Sequence, residues 1–196
     1  MAQKSTDTPQ HRTITDFKSQ LTGGGARGNL FEVVLAFPDI AKVTDPKILD
    51  KSRFLVKSAN LPASNIAFLD VPFRGRTLKV AGDRSFDSWT ITVINDVDFA
   101  IRSAFENWMN KINGVTDGKG SINSNSYTAD AAVFQLDRDG TSLRGYNFYS
   151  VFPSSVSAIP LSTDQPAIEE FTVELQILYW DAFKGNSAVA GGENIT

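Results

Sequence analysis

The stretch Phe171-Thr172-Val173-Glu174-Leu175-Gln176-Ile177-Leu178-Tyr179-Trp180 sets Phe171, Val173, Leu175, Ile177 and Tyr179 against Thr172, Glu174 and Gln176. A period of two belongs to a β-strand, because successive side chains leave opposite faces of a pleated backbone. One face is core and the other polar. Toward the end, Leu178 and Trp180 add apolar groups on the polar side, so both faces need cover there. One helix cannot cover two faces of a sheet; a second sheet or a neighbouring subunit must.

The same period recurs upstream, where Phe31, Val33, Leu35 and Phe37 share one side of the segment Asn29 to Phe37. Arg53 to Ala59, Asn65 to Phe73, Arg76 to Ala81, Ser88 to Asn95, Ala131 to Leu136 and Leu143 to Phe152 also read as strands. Pro72 marks an edge or a bulge, since proline offers no N–H to a ladder. Two hairpins are predicted. One joins Arg76–Ala81 to Ser88–Asn95 across the polar run Gly82 to Asp87, and the other crosses Asp137-Arg138-Asp139-Gly140.

A single strong helix interrupts the strands. Val97, Ile101, Phe105, Trp108 and Ile112 form one stripe of a 3.6-residue period, which predicts a helix over 96–113 capped by Asn95 or Asp96 and stopped by a left-handed Gly114. The segment 38–52 contains two prolines among charges and reads as a long loop with no more than one helical turn. Residues 1–28, polar and ending in Gly23-Gly24-Gly25-Ala26-Arg27-Gly28, read as a flexible N-terminal arm, and 182–196 as a flexible C-terminal tail. The expected fold is one mainly β domain over 29–181. It is an antiparallel β-sandwich or partial barrel of about seven strands with one flanking α-helix.

Composition narrows the chemistry. The 196 residues are 41% hydrophobic and 21% charged, with 19 Lys and Arg against 22 Asp and Glu for a net charge of -3. An acidic excess disfavours a surface that tracks phosphates. With no cysteine there are no disulfides, thiolate nucleophiles or thiolate metal sites. The one histidine, His11, lies in the polar arm, so a Ser-His-acid triad would have to recruit that arm. No apolar run approaches the ~18 residues of a membrane span, so a soluble, intracellularly made protein without membrane insertion is expected.

The remaining motifs fail on context. Gly23, Gly25 and Gly28 match a dinucleotide fingerprint, but a polar tail precedes them and a strand follows, the reverse of what a pyrophosphate needs. Gly114 to Lys119 imitates a phosphate loop with one residue too few and no Mg²⁺-binding hydroxyl. Glu169 and Glu170 point to opposite faces of a strand, and Asp137 and Asp139 flank a turn, so neither pair faces a common substrate. No enzyme, cofactor or metal site is expected.

The block Leu78-Lys79-Val80-Ala81-Gly82-Asp83-Arg84-Ser85-Phe86-Asp87-Ser88-Trp89-Thr90-Ile91-Thr92-Val93-Ile94-Asn95-Asp96 resembles the tail-tube protein family of T-even-like contractile bacteriophages. The likeness extends through Asn29–Val33, Ala59–Ala63, Phe105, Trp108, Phe171–Leu175 and Tyr179-Trp180, about residues 29 to 181. It implies a virion structural protein. Six copies would close into a ring whose inner sheets join as a continuous β-barrel, and rings would stack into a hollow tube. The implied partners are further copies of the chain, a sheath protein, the tape-measure protein, baseplate and tail-terminator proteins, and DNA passing through the lumen. The implied location is the virion tail, assembled in the bacterial host cytoplasm.

Within that resemblance, Thr172, Glu174 and Gln176 are candidate tube-wall residues, since a polar, net acidic wall would let DNA slide. Asp83, Arg84 and Asp87 are candidates for contacts between subunits, with a local turn network as the alternative. Asp45, Lys47 and Lys51 of the 38–52 loop are candidates for ring stacking, and this loop and the arm are expected to order when rings stack. Two other readings stand beside this one. They are the inner tube of a phage-derived injection system or R-type pyocin, and a monomeric β-sandwich module that binds or hydrolyses carbohydrate.

Overall fold

A computed structural model describes residues 13–21, 24–41, 43, 46–164 and 167–184. In chain order the described elements are α1 (Ile14–Gln20), β1 (Phe31–Leu35), α2 (Pro46–Leu55), β2 (Val56–Ala59), β3 (Ser64–Phe73), β4 (Arg76–Phe86), β5 (Trp89–Ile94), α3 (Ala100–Ile112), α4 (Ser124–Tyr127), β6 (Ala129–Leu136), β7 (Ser142–Val156), β8 (Glu170–Gln176) and β9 (Tyr179–Lys184). A short 3-10 turn lies at Asp39–Ala41. All strand pairs are antiparallel.

β7 organises the sandwich by serving two sheets. Its first half lies between β6 and β9, making the sheet β1-β6-β7-β9, while its second half pairs with β8 in the sheet β7-β8-β5-β2. The change of sheet falls at Ser150, a non-glycine residue at φ 54°. That left-handed conformation costs about 1–2 kcal/mol for an L-residue. The Asp130 carboxylate offsets it by accepting the Ser150 N–H at 3.1 Å. On the partner strand the chain breaks between Gln176 and Tyr179 and turns the same corner.

The two inner faces meet in an aromatic core. Trp89 of β5 stacks on Phe148 of β7, ring centroids 4.4 Å apart and 11° from parallel, and Ile91, Val93, Phe171, Val173 and Leu175 complete the layer, all wholly or nearly wholly buried. α3 adds Ile101, Phe105 and Trp108, with Phe37 packed edge-on to both aromatic rings. The Trp108 indole N–H is satisfied by the Tyr127 carbonyl at 2.6 Å, which ties α4 to α3. The hairpin at Asp137–Gly140 forms as the sequence implies, with Gly140 at φ 83° and Asp139 accepting the N–H and hydroxyl of Thr141.

Several expectations are corrected. The loop at 38–52 holds the start of α2, which begins on Pro46, where a missing N–H costs nothing. Its inward stripe is broken by Ser52, wholly buried and bonded to the Leu49 carbonyl, and this small residue lets the helix lie against β1. α2 also takes Arg53 to Leu55 from the segment read as a strand. α3 starts at Ala100, not 96. Asp96 caps a preceding turn instead, accepting the Val97 N–H with its side chain and the Phe99 N–H with its carbonyl, so Val97 is left 91% exposed. Gly114 is not left-handed; it is needed because a Cβ would lie 2.5 Å from Asp117 Oδ1 and 2.9 Å from the Lys119 carbonyl.

The first hairpin changes partners altogether. Gly82 to Phe86 is no turn but the end of β4, which runs antiparallel to β3, whereas β5 pairs with β2 and β8. Within the arm, Ile14–Gln20 form α1, and β9 runs through Lys184, past the expected start of the tail at 182. His11 lies outside the described residues.

The bend at Ser150 yields a test. Ser150→Val, with a β-branched side chain at positive φ, is expected to cost about 1–3 kcal/mol, while Ser150→Gly stays within about 1 kcal/mol of the unaltered chain. Urea unfolding followed by tryptophan fluorescence measures both.

Candidate functional site

β3 and β4 form a ribbon that leaves the sandwich. Arg74 and Gly75, at φ 44° and 80°, make a two-residue turn of the type whose twist matches paired strands. Pairing then runs from Phe73–Arg76 back to Ser64–Phe86, with a bulge where two residues of β4, Gly82 and Asp83, lie opposite Ala67. A Cβ on Gly82 would come 3.3 Å from the Ala67 carbonyl, which is why this position carries none.

The ribbon is unsupported by its own subunit. Ile66, Phe68, Leu69, Val71, Phe73, Leu78 and Val80 are each 42–66% exposed, and they occupy both of its faces. A lone two-stranded ribbon is marginal in water, and so large a contiguous apolar surface on one marks a contact with another chain. Asp70 and Lys79 pair across it at 3.1 Å, with the Lys79 ammonium 3.8 Å from the centre of the Phe68 ring.

The sheet β7-β8-β5-β2 is open at both ends. β2 pairs only with β5, and β7 from Phe152 to Val156 pairs only with β8 among the described residues. In the other sheet, α2 lies against the outer strand β1, with Arg53 3.7 Å from Glu32. The solvent face of the doubly open sheet is polar. Thr92 lies opposite Thr172 and Thr90 opposite Glu174. Ser88 donates to Glu174 at 2.7 Å, Gln176 to Ser154 at 3.3 Å, and Lys57 pairs with Glu170 at 2.7 Å. Thr172, Glu174 and Gln176 thus share one half-exposed face of a single strand.

The other candidates fall in different places. Asp83 and Arg84 lie exposed on β4 with no side-chain partner among the described residues, while Asp87, just past it, accepts from Asn65 at 3.1 Å. Lys51 is a residue of α2 whose ammonium is held inside its own subunit by Asp96 and, at 2.9 Å, by Asp98. The hydrogen bonds that the ammonium donates to the two carboxylates raise its pKa, and the bond from Lys51 in turn lowers that of Asp96. Lys47 is exposed on the same helix, and Asp45 lies outside the described residues. Sequence reasoning missed the ribbon, although Arg74-Gly75 between two alternating runs was a usable turn signal.

Two open edges and an unsupported apolar ribbon define a β-sandwich subunit that is completed by contact with other chains. The chain belongs to the phage tail tube protein family, whose model matches residues 26–182. It is 31% identical to tail tube protein gp19 of Enterobacteria phage T4 over 166 residues, covering 82% of this chain and 93% of that one. It is 27% identical to the tail tube protein of Serratia phage KSP90, covering 82% and 89%. Solved structures share the fold. A chain of the anti-feeding prophage baseplate superposes with a TM-score of 0.61 at 12% identity, covering 82% of this chain and 96% of that one. A chain of the PVC extracellular contractile injection system in its sheath-tube complex gives 0.52 at 15%, covering 85% and 97%.

The Lys51 clamp ties α2 to the turn before α3, and its pH dependence follows from the two shifts. A lowered Asp96 pKa adds stability present above the ordinary carboxylate range and lost as pH falls through the folded value; a raised Lys51 pKa adds stability present below the ordinary lysine value and lost only at higher pH. Asp96→Asn is expected to lower the thermal midpoint at neutral pH and to leave a shallower decline on acidification below about pH 4. Calorimetry across pH 3 to 8 checks this.

Proposed function

We propose that the chain is the structural subunit of the inner tail tube of a contractile-tailed phage. Six copies close into rings and rings stack into a hollow conduit, with no catalytic step. The observation that carries this is the sheet β7-β8-β5-β2 with two open edges and one polar face. Edge pairing from subunit to subunit leaves no free strand in a closed ring and turns four strands per copy into a continuous barrel.

On that geometry the apolar side of the sheet faces the subunit core and the polar side faces the lumen. Thr172, Glu174 and Gln176 line the wall together with Thr90 and Thr92. Hydroxyls, an amide and carboxylates offer little attraction to phosphate, so DNA passes without being held. The ribbon reaches a neighbouring copy, where its apolar faces leave water and Asp83 and Arg84 meet charges of the next subunit. The 38–52 segment and the N-terminal arm lie at contacts between rings.

The partners follow the same reading. The PVC chain that shares the fold comes from a sheath-tube complex, and the prophage chain from a baseplate. A sheath around the tube, a baseplate below it, a terminator above it and a tape-measure protein within it are therefore the expected neighbours. The tube would be assembled in the bacterial host cytoplasm and found in the virion tail. Curated relatives at 27–31% identity are phage tail tube proteins, which favours a phage tail over an injection system or pyocin. Among the described residues no group of three or more His, Cys, Asp or Glu could hold a metal, and no helix is long and apolar enough to cross a membrane.

Negative-stain electron microscopy of the concentrated full chain tests this reading directly. Six-fold rings or hollow tubes are expected, and a chain that stays monomeric even with baseplate proteins present contradicts it. The ribbon supplies a sharper variant. Leu69→Asp with Leu78→Asp alters exposed positions, so the monomer's stability should change by no more than about 1 kcal/mol. Assembly should fall at least tenfold by sedimentation.

A further inference from the structure

α1 carries information that the tube domain does not use. It lies wholly before the family match at 26–182, yet it is built as a helix. Thr13 accepts the Asp16 N–H, and the Asp16 carboxylate returns to the Thr13 N–H at 2.8 Å, a complete capping box. Ile14 and Phe17 on the helix and Leu21 at its C-cap recur at steps of three and four and make one apolar stripe, exposed by 69, 60 and 45%. Seven residues are too few to hold a helix in water alone, and no residue of α1 is buried in its own subunit.

An apolar groove among the described residues lies far from this subunit's own α1. It lies between α3 and the second half of β7, has a volume of about 630 Å³, and is floored by Met109, Ile112, Phe152 and Val156 with Arg102 and Glu106 at its rim. α1 is moored at the opposite end of β7. Gly24 sits against the turn before that strand, where a Cβ would lie 3.7 Å from the Arg138 guanidinium. From Ser142 to the corner at Ser150 is eight residues of strand, about 26 Å at the usual rise, and Phe152 and Val156 lie beyond that corner. Three residues link Leu21 to Gly24, a reach of about 10 Å, and the helix itself adds about another 10 Å. A subunit cannot fill its own groove with its own helix.

We infer that α1 is a clasp whose Ile14, Phe17 and Leu21 seat in the groove between α3 and β7 of a second copy of this chain. The inference rests on the tube reading and deepens it. A knob at one end of a subunit and its socket at the other make a head-to-tail contact, which propagates as a stack and does not close. α1 therefore joins successive rings, and edge pairing of β2 and β7 joins subunits within one.

The chain has no cysteine, so a pair of introduced cysteines gives a clean proximity probe on the full-length protein. To keep the anchors intact the cysteines are better placed beside the contact, as Lys18→Cys with Asn113→Cys, and oxidation or a short bismaleimide should then link chains into dimers and longer ladders in tubes and leave isolated rings unlinked. Separately, Ile14→Ser, Phe17→Ser and Leu21→Ser together should keep six-fold rings and raise the concentration needed for tubes at least tenfold. Tubes of ordinary length from the triple variant, or cross-links confined within one chain, would overturn the clasp while leaving the tube role intact. Failure of the unaltered chain to form rings or tubes would overturn both.

Discussion

β7 has to lie in two sheets at once, and the remaining architecture is arranged around that demand. A fifteen-residue strand that stayed straight would extend one sheet and leave the aromatic core open on its far side. The corner at Ser150, held by the Asp130 carboxylate, folds the second half over the first and brings Phe148 onto Trp89. The β8–β9 break follows the same corner one strand over. The bend also determines which backbone groups are left without partners. The first sheet has α2 beside β1 at one end and the base of β4 beside β9 at the other, whereas the second ends at β2 on one side and the turned half of β7 on the other.

That asymmetry makes the molecule a component and not a finished domain. A monomeric protein hides or blunts its sheet edges; here two edges of one sheet stay open, and a ribbon of apolar side chains stands in solvent. In the tube proposed above, each copy provides the edge and the cover that the next one lacks. The polarity of the sheet follows from the same alternation that makes its strands, with valine, leucine and phenylalanine inward and threonine, glutamate and glutamine outward.

The sequence made the core strands legible because burial on one face enforces a period of two. Phe171, Val173 and Leu175 are inside as their spacing implies, and so are Ile101, Phe105 and Trp108 on the helix. Signals failed where that one-sided burial fails. Arg74-Gly75 stood between two alternating runs as a usable turn signal, but β3 carries apolar residues on both faces, Ile66 and Phe68 on one and Leu69, Val71 and Phe73 on the other, and the polar run Gly82–Asp87 was taken for the turn instead. α2 was obscured because buried Ser52 interrupts its stripe, and Asp96 capped a turn instead of the helix because Lys51, forty-five residues earlier in the chain, holds its other oxygen. The open edges could not be read at all, since an unpaired backbone N–H leaves no mark on a side-chain pattern. The candidate wall residues Thr172, Glu174 and Gln176 were found as a face, and the sheet topology supplied the reason that this face belongs to an open sheet.

The central claim is that the β7-β8-β5-β2 sheet is completed from outside. Amide hydrogen exchange on the monomer and on the assembled chain tests it most directly. The account predicts that amides of Val56–Ala59 and of 152–156 exchange rapidly in the monomer and become strongly protected on assembly, while those of β1 change little. Equal exchange at both edges in the two states, or new protection confined to β1, would contradict it.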